Sequence, residues 1–387
     1  MKNLLKPISY NKQSIDTLDI KSVIKVLKSD FLTQGPLIEK FENELTKYCK
    51  VKYAVVFSSG TSALHGACYA AGIKKGDEVI TTPMTFAASV NCVMYCGGIP
   101  VFADIKPEIP LIDPNEILKK ITKKTKAIIP VDYSGMPADY DEISEIAKKH
   151  NLIVIADACH SLGATYKGSK AGSLADMSIF SFHPVKSITT GEGGAVLTNN
   201  YKFYQRLILF RTHGITKDPK LFINKNEGPW YYEMQDLGFN YRLTDIQAAL
   251  GLSQLVKLSK FIKVRQKIAG FYQRQLKNIS NIKFLTVPKN RTSSWHLFPI
   301  QIRNISFFQK TLLVKMLHKA NIKVQVHYIP VHLQPYYTKK FGYKKGDFPI
   351  SEKFYQEEIS IPIYPNLTKN ELNYVLMNLL LNSNKMN

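Results

Sequence analysis

Between about Val51 and Thr198, short apolar runs alternate with helix-like stretches: Tyr53 to Phe57, Glu78 to Thr81, Val101 to Ala103, Ala127 to Val131, Ile153 to Ala156, Ile179 to Ser181 and Ala195 to Leu197. Short apolar runs separated by helical spacings predict a mostly parallel sheet covered by helices, with ligands at the carboxyl ends of the strands. Polar residues fall directly after several of these runs, so chemistry is sought there. A long helix is predicted from about Thr244 through Gly270, where Ile246, Leu250, Leu255 and Leu258 recur at roughly helical spacing. Beyond it, apolar segments near Ile282 to Thr286 and Trp295 to Ile302, a helix near Phe308 to Ala320 and a strand near Lys323 to Tyr328 predict a small α+β domain. The expected division is a large domain over 1–250, with the N-terminal segment, and a linker helix plus small C-terminal domain over 251–387. No internal repeat or low-complexity tract interrupts this pattern.

A chain of 387 residues is long enough for two cores, and 45% hydrophobic with 21% charged residues is the composition of a folded protein. The net charge of +22 would fit an anionic partner. Its lysines are scattered, however: pairs at Lys119-Lys120, Lys123-Lys124, Lys148-Lys149 and Lys339-Lys340 never grow into a basic arm, and no nucleic-acid partner is expected. Five cysteines without a C-x-x-C pair indicate neither a disulfide framework nor a zinc ribbon. Cys92 and Cys96 are read as core thiols. Met1 to Tyr10 lacks a signal-peptide apolar stretch and no window reaches the length of a membrane span, so a cytoplasmic protein without membrane attachment is expected.

Three segments carry candidate chemistry. Ser58-Ser59-Gly60-Thr61-Ser62-Ala63-Leu64 follows an apolar run and opens a helix, as either a phosphate cradle or an ordinary cap. Ile155-Ala156-Asp157-Ala158-Cys159-His160 ends a strand on an acid. That acid and the imidazole after it suit a protonated ring nitrogen and a phenolic oxygen, a metal, or a simple capping role. Phe180-Ser181-Phe182-His183-Pro184-Val185-Lys186 places a lysine ahead of the Gly191-Glu192-Gly193-Gly194 stretch, a setting suited to Schiff-base chemistry when burial lowers the amine pKa. Phosphate cradle, ring-nitrogen acid and lysine are together the parts of a pyridoxal 5′-phosphate (PLP) site, with no metal required.

From Leu32-Thr33-Gln34-Gly35 to Pro362 the chain resembles the DegT/DnrJ/EryC1/StrS family of sugar aminotransferases. The resemblance implies the α/β architecture of PLP-dependent transferase fold type I, as in aspartate aminotransferase. It makes Lys186 the cofactor lysine, Asp157 the pyridinium partner and His160 the neighbour of the ring hydroxyl. It gives the cofactor phosphate to Gly60, Thr61 and Ser181, and the ring face to Phe86. Gly238-Phe239-Asn240-Tyr241-Arg242 matches a family segment whose asparagine reaches the phosphate of the neighbouring subunit, so Asn240 implies a homodimer with shared active sites.

Within the family the likeness extends to the branch that aminates a UDP-linked 4-keto-6-deoxy sugar for pseudaminic acid, with L-glutamate as donor. Arg211-Thr212-His213-Gly214 and Gln325-Val326-His327-Tyr328 are among the shared residues. This branch places substrate contacts at Phe31, Leu32 and Thr33 and at Gln325, Val326, His327 and Tyr328, the last two being otherwise strand residues of the small domain. The extreme N-terminus departs from it, with Ile8 where an aromatic residue is expected and Tyr10 two places on.

Rival readings are a transaminase for another nucleotide 4-keto sugar, a sugar dehydratase of the same fold, a nucleotide-sugar sensor or transcriptional regulator, and a cysteine desulfurase. The dehydratase branch carries His where this chain has Lys186. The regulator would bring a DNA-binding segment, none being expected before Tyr53. The desulfurase needs a reactive cysteine loop, and no cysteine follows Cys159.

Overall fold

All seven apolar runs become strands of one sheet: β1 (Tyr53–Phe57), β2 (Glu78–Thr81), β3 (Ile99–Phe102), β4 (Thr125–Ile129), β5 (Ile153–Asp157), β6 (Met177–Ser181) and β7 (Gly194–Thr198). The computed structural model describes residues 6–225 and 227–383, so the reading of Met1 to Tyr10 lies in part, at residues 1–5, outside the described residues. The strand order is β1-β7-β6-β5-β4-β2-β3. Only β7 runs antiparallel to its neighbours; the other pairings are parallel. The runs are continuous rather than alternating because both faces are covered. Val55 and Phe57 pack beneath the helix Gly60–Ala70, whereas Ala54 and Val56 face the other way, into a core shared with the helix Pro36–Cys49.

The linking helix runs over Asp245–Leu276, two turns beyond the predicted end at Gly270. A single glycine inside a helix is tolerated where packing on both sides holds it. The N-terminal half of the helix packs Ala248, Leu255 and Leu258 under the sheet, and its C-terminal half packs Ile268, Ala269 and Tyr272 into the second core. Ile246 and Leu250, predicted on the apolar face, are only half-buried.

The helix starts at a capping box formed by Thr244 and Gln247. Its first residue, Asp245, is 1% exposed and accepts hydrogen bonds from the N–H groups of Gly35 (2.7 Å) and Leu37 (3.0 Å) at the start of Pro36–Cys49. Asp245→Ala leaves both donors without their acceptor in a closed site. It is expected to destabilise the fold by about 2 kcal/mol, read as a lower midpoint of urea unfolding.

The small domain centres on an antiparallel sheet of β8 (Ile282–Phe284), β9 (Phe298–Ile302) and β10 (Glu358–Ile361), backed by the helices Phe307–Lys319 and Lys369–Ser383. The strand expected near Lys323 to Tyr328 shrinks to Ile322–Lys323, which pairs in parallel with Ile8–Ser9 at the start of the chain. Past it the ladder ends: Gln325 makes one bridge to Ser360, and the N–H of His327 donates to the Glu358 side chain instead of a strand carbonyl. That departure carries residues 325–328 off the sheet and toward the ends of β5 and β6. Among the described residues no helix is long and apolar enough to cross a membrane.

Candidate active site

Three strands and one departure from the small sheet converge on a cavity of about 580 Å³. After β1 the chain enters Gly60–Ala70 through Ser59, whose hydroxyl accepts from the N–H of Ser62 while the Ser62 hydroxyl accepts from the N–H of Ser59. This box leaves the N–H groups of Gly60 and Thr61 at the positive end of the helix, facing the cavity. A Cβ on Gly60 would lie 2.9 Å from Cβ of Ser181, the last residue of β6, so only glycine allows this approach. The capping reading of the segment holds, and the same cap leaves this helix end free to serve as the expected phosphate cradle.

Asp157 ends β5 and is 6% exposed. One carboxylate oxygen accepts from Ser89 Oγ at 2.5 Å and the other from the N–H of Cys159 at 3.2 Å. Ser89 Oγ is also 2.7 Å from Thr85 Oγ1. Sequence reasoning missed this pair of hydroxyls. Thr85 precedes the helix Ala88–Tyr95 that carries Ser89, so no helical spacing announced the pair.

Lys186 lies in the turn after β6, its N–H bonded to the carbonyl of His183 (2.9 Å), and its side chain lines the cavity. Desolvation lowers its pKa from the ordinary amine value; negative charge at Cys159 or Asp157 would oppose this. Burial pushes the Cys159 thiol well above its usual range, so at neutral pH the thiol is uncharged and the opposition comes from Asp157. The balance favours a neutral amine more than in a solvated lysine.

His160 is buried, with Nε2 3.0 Å from the Tyr328 hydroxyl and Nδ1 without a hydrogen-bond partner among the described residues. Burial, reinforced by Lys186 and His327, holds its pKa well below the usual histidine range and keeps the ring neutral. His296, which sequence reasoning missed, packs 4.2 Å from it between ring centroids and also lines the cavity. Phe86 is 61% exposed at the cavity wall, its ring 6.2 Å from that of Tyr328, and offers a face to a planar group. Tyr10 closes the same wall, 5.3 Å from the ring of His327.

One cavity thus gathers Gly60, Thr61, Phe86, Asp157, His160, Ser181, Lys186 and the run Gln325, Val326, His327, Tyr328. Asn240 lies outside it, exposed and bridged to Thr212, and Phe31, Leu32 and Thr33 are exposed beside Thr244 and Asp245. Among the described residues no three His, Cys, Asp or Glu side chains gather as metal ligands. The residues present fit PLP: an amine driven toward neutrality, a carboxylate at a strand end, an open helix N-terminus that a larger residue at 60 would block, and a free aromatic face.

Fold and site together define a PLP-dependent aminotransferase of fold type I. A family model described as the DegT/DnrJ/EryC1/StrS aminotransferase family matches residues 13–380. The chain belongs to that family, whose members are sugar aminotransferases. It is 45% identical over 357 residues, 92% of each chain, to the uncharacterised protein MJ1066 of Methanocaldococcus jannaschii. It is 40% identical over 371 residues, 95% of each chain, to the UDP-4-amino-4,6-dideoxy-N-acetyl-β-L-altrosamine transaminase of Campylobacter jejuni. Among solved structures, Helicobacter pylori PseC, an aminotransferase of pseudaminic acid biosynthesis, superposes with a TM-score of 0.92 at 36% identity, covering 98% of this chain and 100% of its own. The Streptococcus pneumoniae protein Spr1654, solved in both PLP and PMP forms, matches at the same TM-score of 0.92 with 30% identity, over 98% of this chain and 100% of its own.

Proposed function

We propose that this enzyme moves an amino group from L-glutamate to C4 of a UDP-linked 4-keto-6-deoxy sugar, UDP-2-acetamido-2,6-dideoxy-β-L-arabino-hex-4-ulose, giving UDP-4-amino-4,6-dideoxy-N-acetyl-β-L-altrosamine. The observation that carries this reading is the meeting of Lys186, Asp157 and the Gly60–Thr61 helix end with the run Gln325 to Tyr328 at one cavity. Likeness to the Campylobacter and Helicobacter enzymes supports the sugar. The enzyme is taken to work in the cytoplasm as a homodimer. Asn240 and the segment Phe31 to Thr33, exposed and away from their own cavity, would then serve the cavity of the neighbouring subunit.

When bound, PLP supplies an electron sink for a carbanion at the carbon bearing the nitrogen. Gly60, Thr61 and Ser181 would hold its phosphate, Asp157 its ring nitrogen, His160 the side of its hydroxyl and Phe86 one face. Asp157, anchored by Ser89 and the Cys159 N–H, keeps a proton on that ring nitrogen. Lys186 Nζ accepts a proton from the α-carbon of glutamate and later delivers one to the sugar C4. Gln325 to Tyr328 orient the sugar, and the wall of Tyr10, His296 and Tyr328 excludes water around Lys186.

The test follows the visible absorbance of the PLP-loaded enzyme through addition of L-glutamate and then of a panel of nucleotide-linked 4-keto sugars, with products identified by mass and NMR. The band is expected to bleach with glutamate and to return with the UDP-linked arabino-hexulose. Return only with a different keto-sugar would replace the proposed substrate, and no bleaching would exclude glutamate as the donor.

A further inference from the structure

We propose that Glu358 and Ser360, neither of which lines the cavity, fix His327 in the tautomer that turns a hydrogen-bond acceptor, Nε2, toward the substrate, so that the site selects a sugar with a hydroxyl donor there. The inference deepens the nucleotide-sugar reading and rests on it for the ligand. Glu358 and Ser360 stand on β10 at 0% exposure. One Glu358 oxygen accepts from Ser360 Oγ at 2.5 Å and the other from the backbone N–H of His327 at 2.8 Å. A serine hydroxyl has a single proton. Given to Glu358, it leaves Ser360 Oγ an acceptor, so His327 Nδ1, 2.9 Å away, is the donor.

A neutral imidazole protonated on Nδ1 carries its lone pair on Nε2. Burial pushes the His327 pKa down to about 3, with the charge of Lys186 acting in the same direction, so the ring is neutral. Among the described residues Nε2 has no hydrogen-bond partner, it is not sealed from solvent, and the residue lines the cavity. The direction of the chain depends on an ionised Glu358. Two donors reach that carboxylate and buried Lys310 supplies a nearby positive charge, against burial that raises the carboxyl to about 7. A neutral Glu358 would reverse both side-chain bonds, donating to Ser360, with Ser360 donating to Nδ1 and the proton on Nε2. A buried acceptor left unpaired is costly, so a ligand without a hydroxyl at this point is discriminated against.

The tautomer is read directly in holoenzyme labelled with ¹⁵N-histidine, from the ring-nitrogen shifts and their couplings to the ring protons. The signals of His327 are those that disappear in His327→Gln. The expected result is a proton on Nδ1 in the wild type. In Glu358→Gln it moves to Nε2, because the amide N–H₂ group toward Ser360 reverses the chain. Should that variant fail to fold, Ser360→Ala is expected to move the same equilibrium toward Nε2–H. A wild-type proton on Nε2, or a tautomer indifferent to Ser360→Ala, overturns the proposal.

In turnover of the keto-sugar, Ser360→Ala is expected to raise KM about tenfold with kcat within about twofold, as for loss of one hydrogen bond to substrate, and Ser360→Thr to restore it. A fall in kcat at unchanged KM would also overturn it. If the wild type aminates no nucleotide keto-sugar, the nucleotide-sugar reading fails by itself, and the tautomer measurement still decides the state of His327.

Discussion

Lys186→Ala enzyme, saturated with pyridoxal phosphate and treated with borohydride, is expected to carry no cofactor after denaturation, whereas the wild type carries one per chain by mass spectrometry. Turnover is expected to fall on the order of ten-thousandfold or more, because in the proposed mechanism the residue that attaches the cofactor is also the base that moves the proton. Lys186→Arg retains a cation and still fails, since a guanidinium does not give up its proton. The sign of the pH effect follows from the environment. Desolvation lowers the amine pKa and Asp157 only partly opposes it, so a larger neutral fraction is present at neutral pH than in a solvated lysine. The rate of cofactor attachment should decline as pH falls, with a midpoint below that of free lysine. A midpoint at the ordinary lysine value would mean that burial does not prepare this amine.

Asp157→Asn is expected to keep the covalent attachment and lose kcat by roughly a hundred- to a thousandfold, the range for removing one preorganised charge from a site shielded from water. An amide has the shape of the carboxylate but cannot hold a proton on the ring nitrogen. The two variants therefore separate attachment from electron withdrawal: one loses the adduct, the other only turnover. Wild-type kcat in Asp157→Asn would remove Asp157 from the chemistry. Its 2.5 Å bond from Ser89 and its place at the end of a buried strand would then be purely structural.

Much of the large domain was legible because its strands are buried on both faces, which writes them as uninterrupted apolar runs. Tyr53 to Phe57 and Glu78 to Thr81 have the bounds read from sequence. That Lys186, Asp157 and Gly60 would meet was legible because each follows a buried apolar run, and all three line one cavity. The small domain was less so. Residues 325–328 have the composition of a strand, but a side chain, Glu358, takes the N–H that a strand would pair, and no local pattern announces a partner so distant in the chain. Ser89 and His296 were missed for the same reason, since each matters through what tertiary packing brings beside it. Tyr10 showed in sequence only as a departure from the family pattern. It enters the cavity wall because the chain around it pairs with Ile322–Lys323.

That pairing also fixes an order of events during synthesis. Asn11 donates to the carbonyl of His296, 285 positions later, and Arg265, itself buried, donates to both Asn11 and the carbonyl of Ile363. Asn11 thus has no native place until residues 265–363 have followed. Contacts so distant are the slow, late steps of folding. The sheet and the lysine turn can be in place while one wall of the cavity is still missing. A nascent chain would therefore place Lys186 before it acquires the enclosure around it, and docking of the small-domain residues 296–363 rather than sheet formation completes the cavity wall.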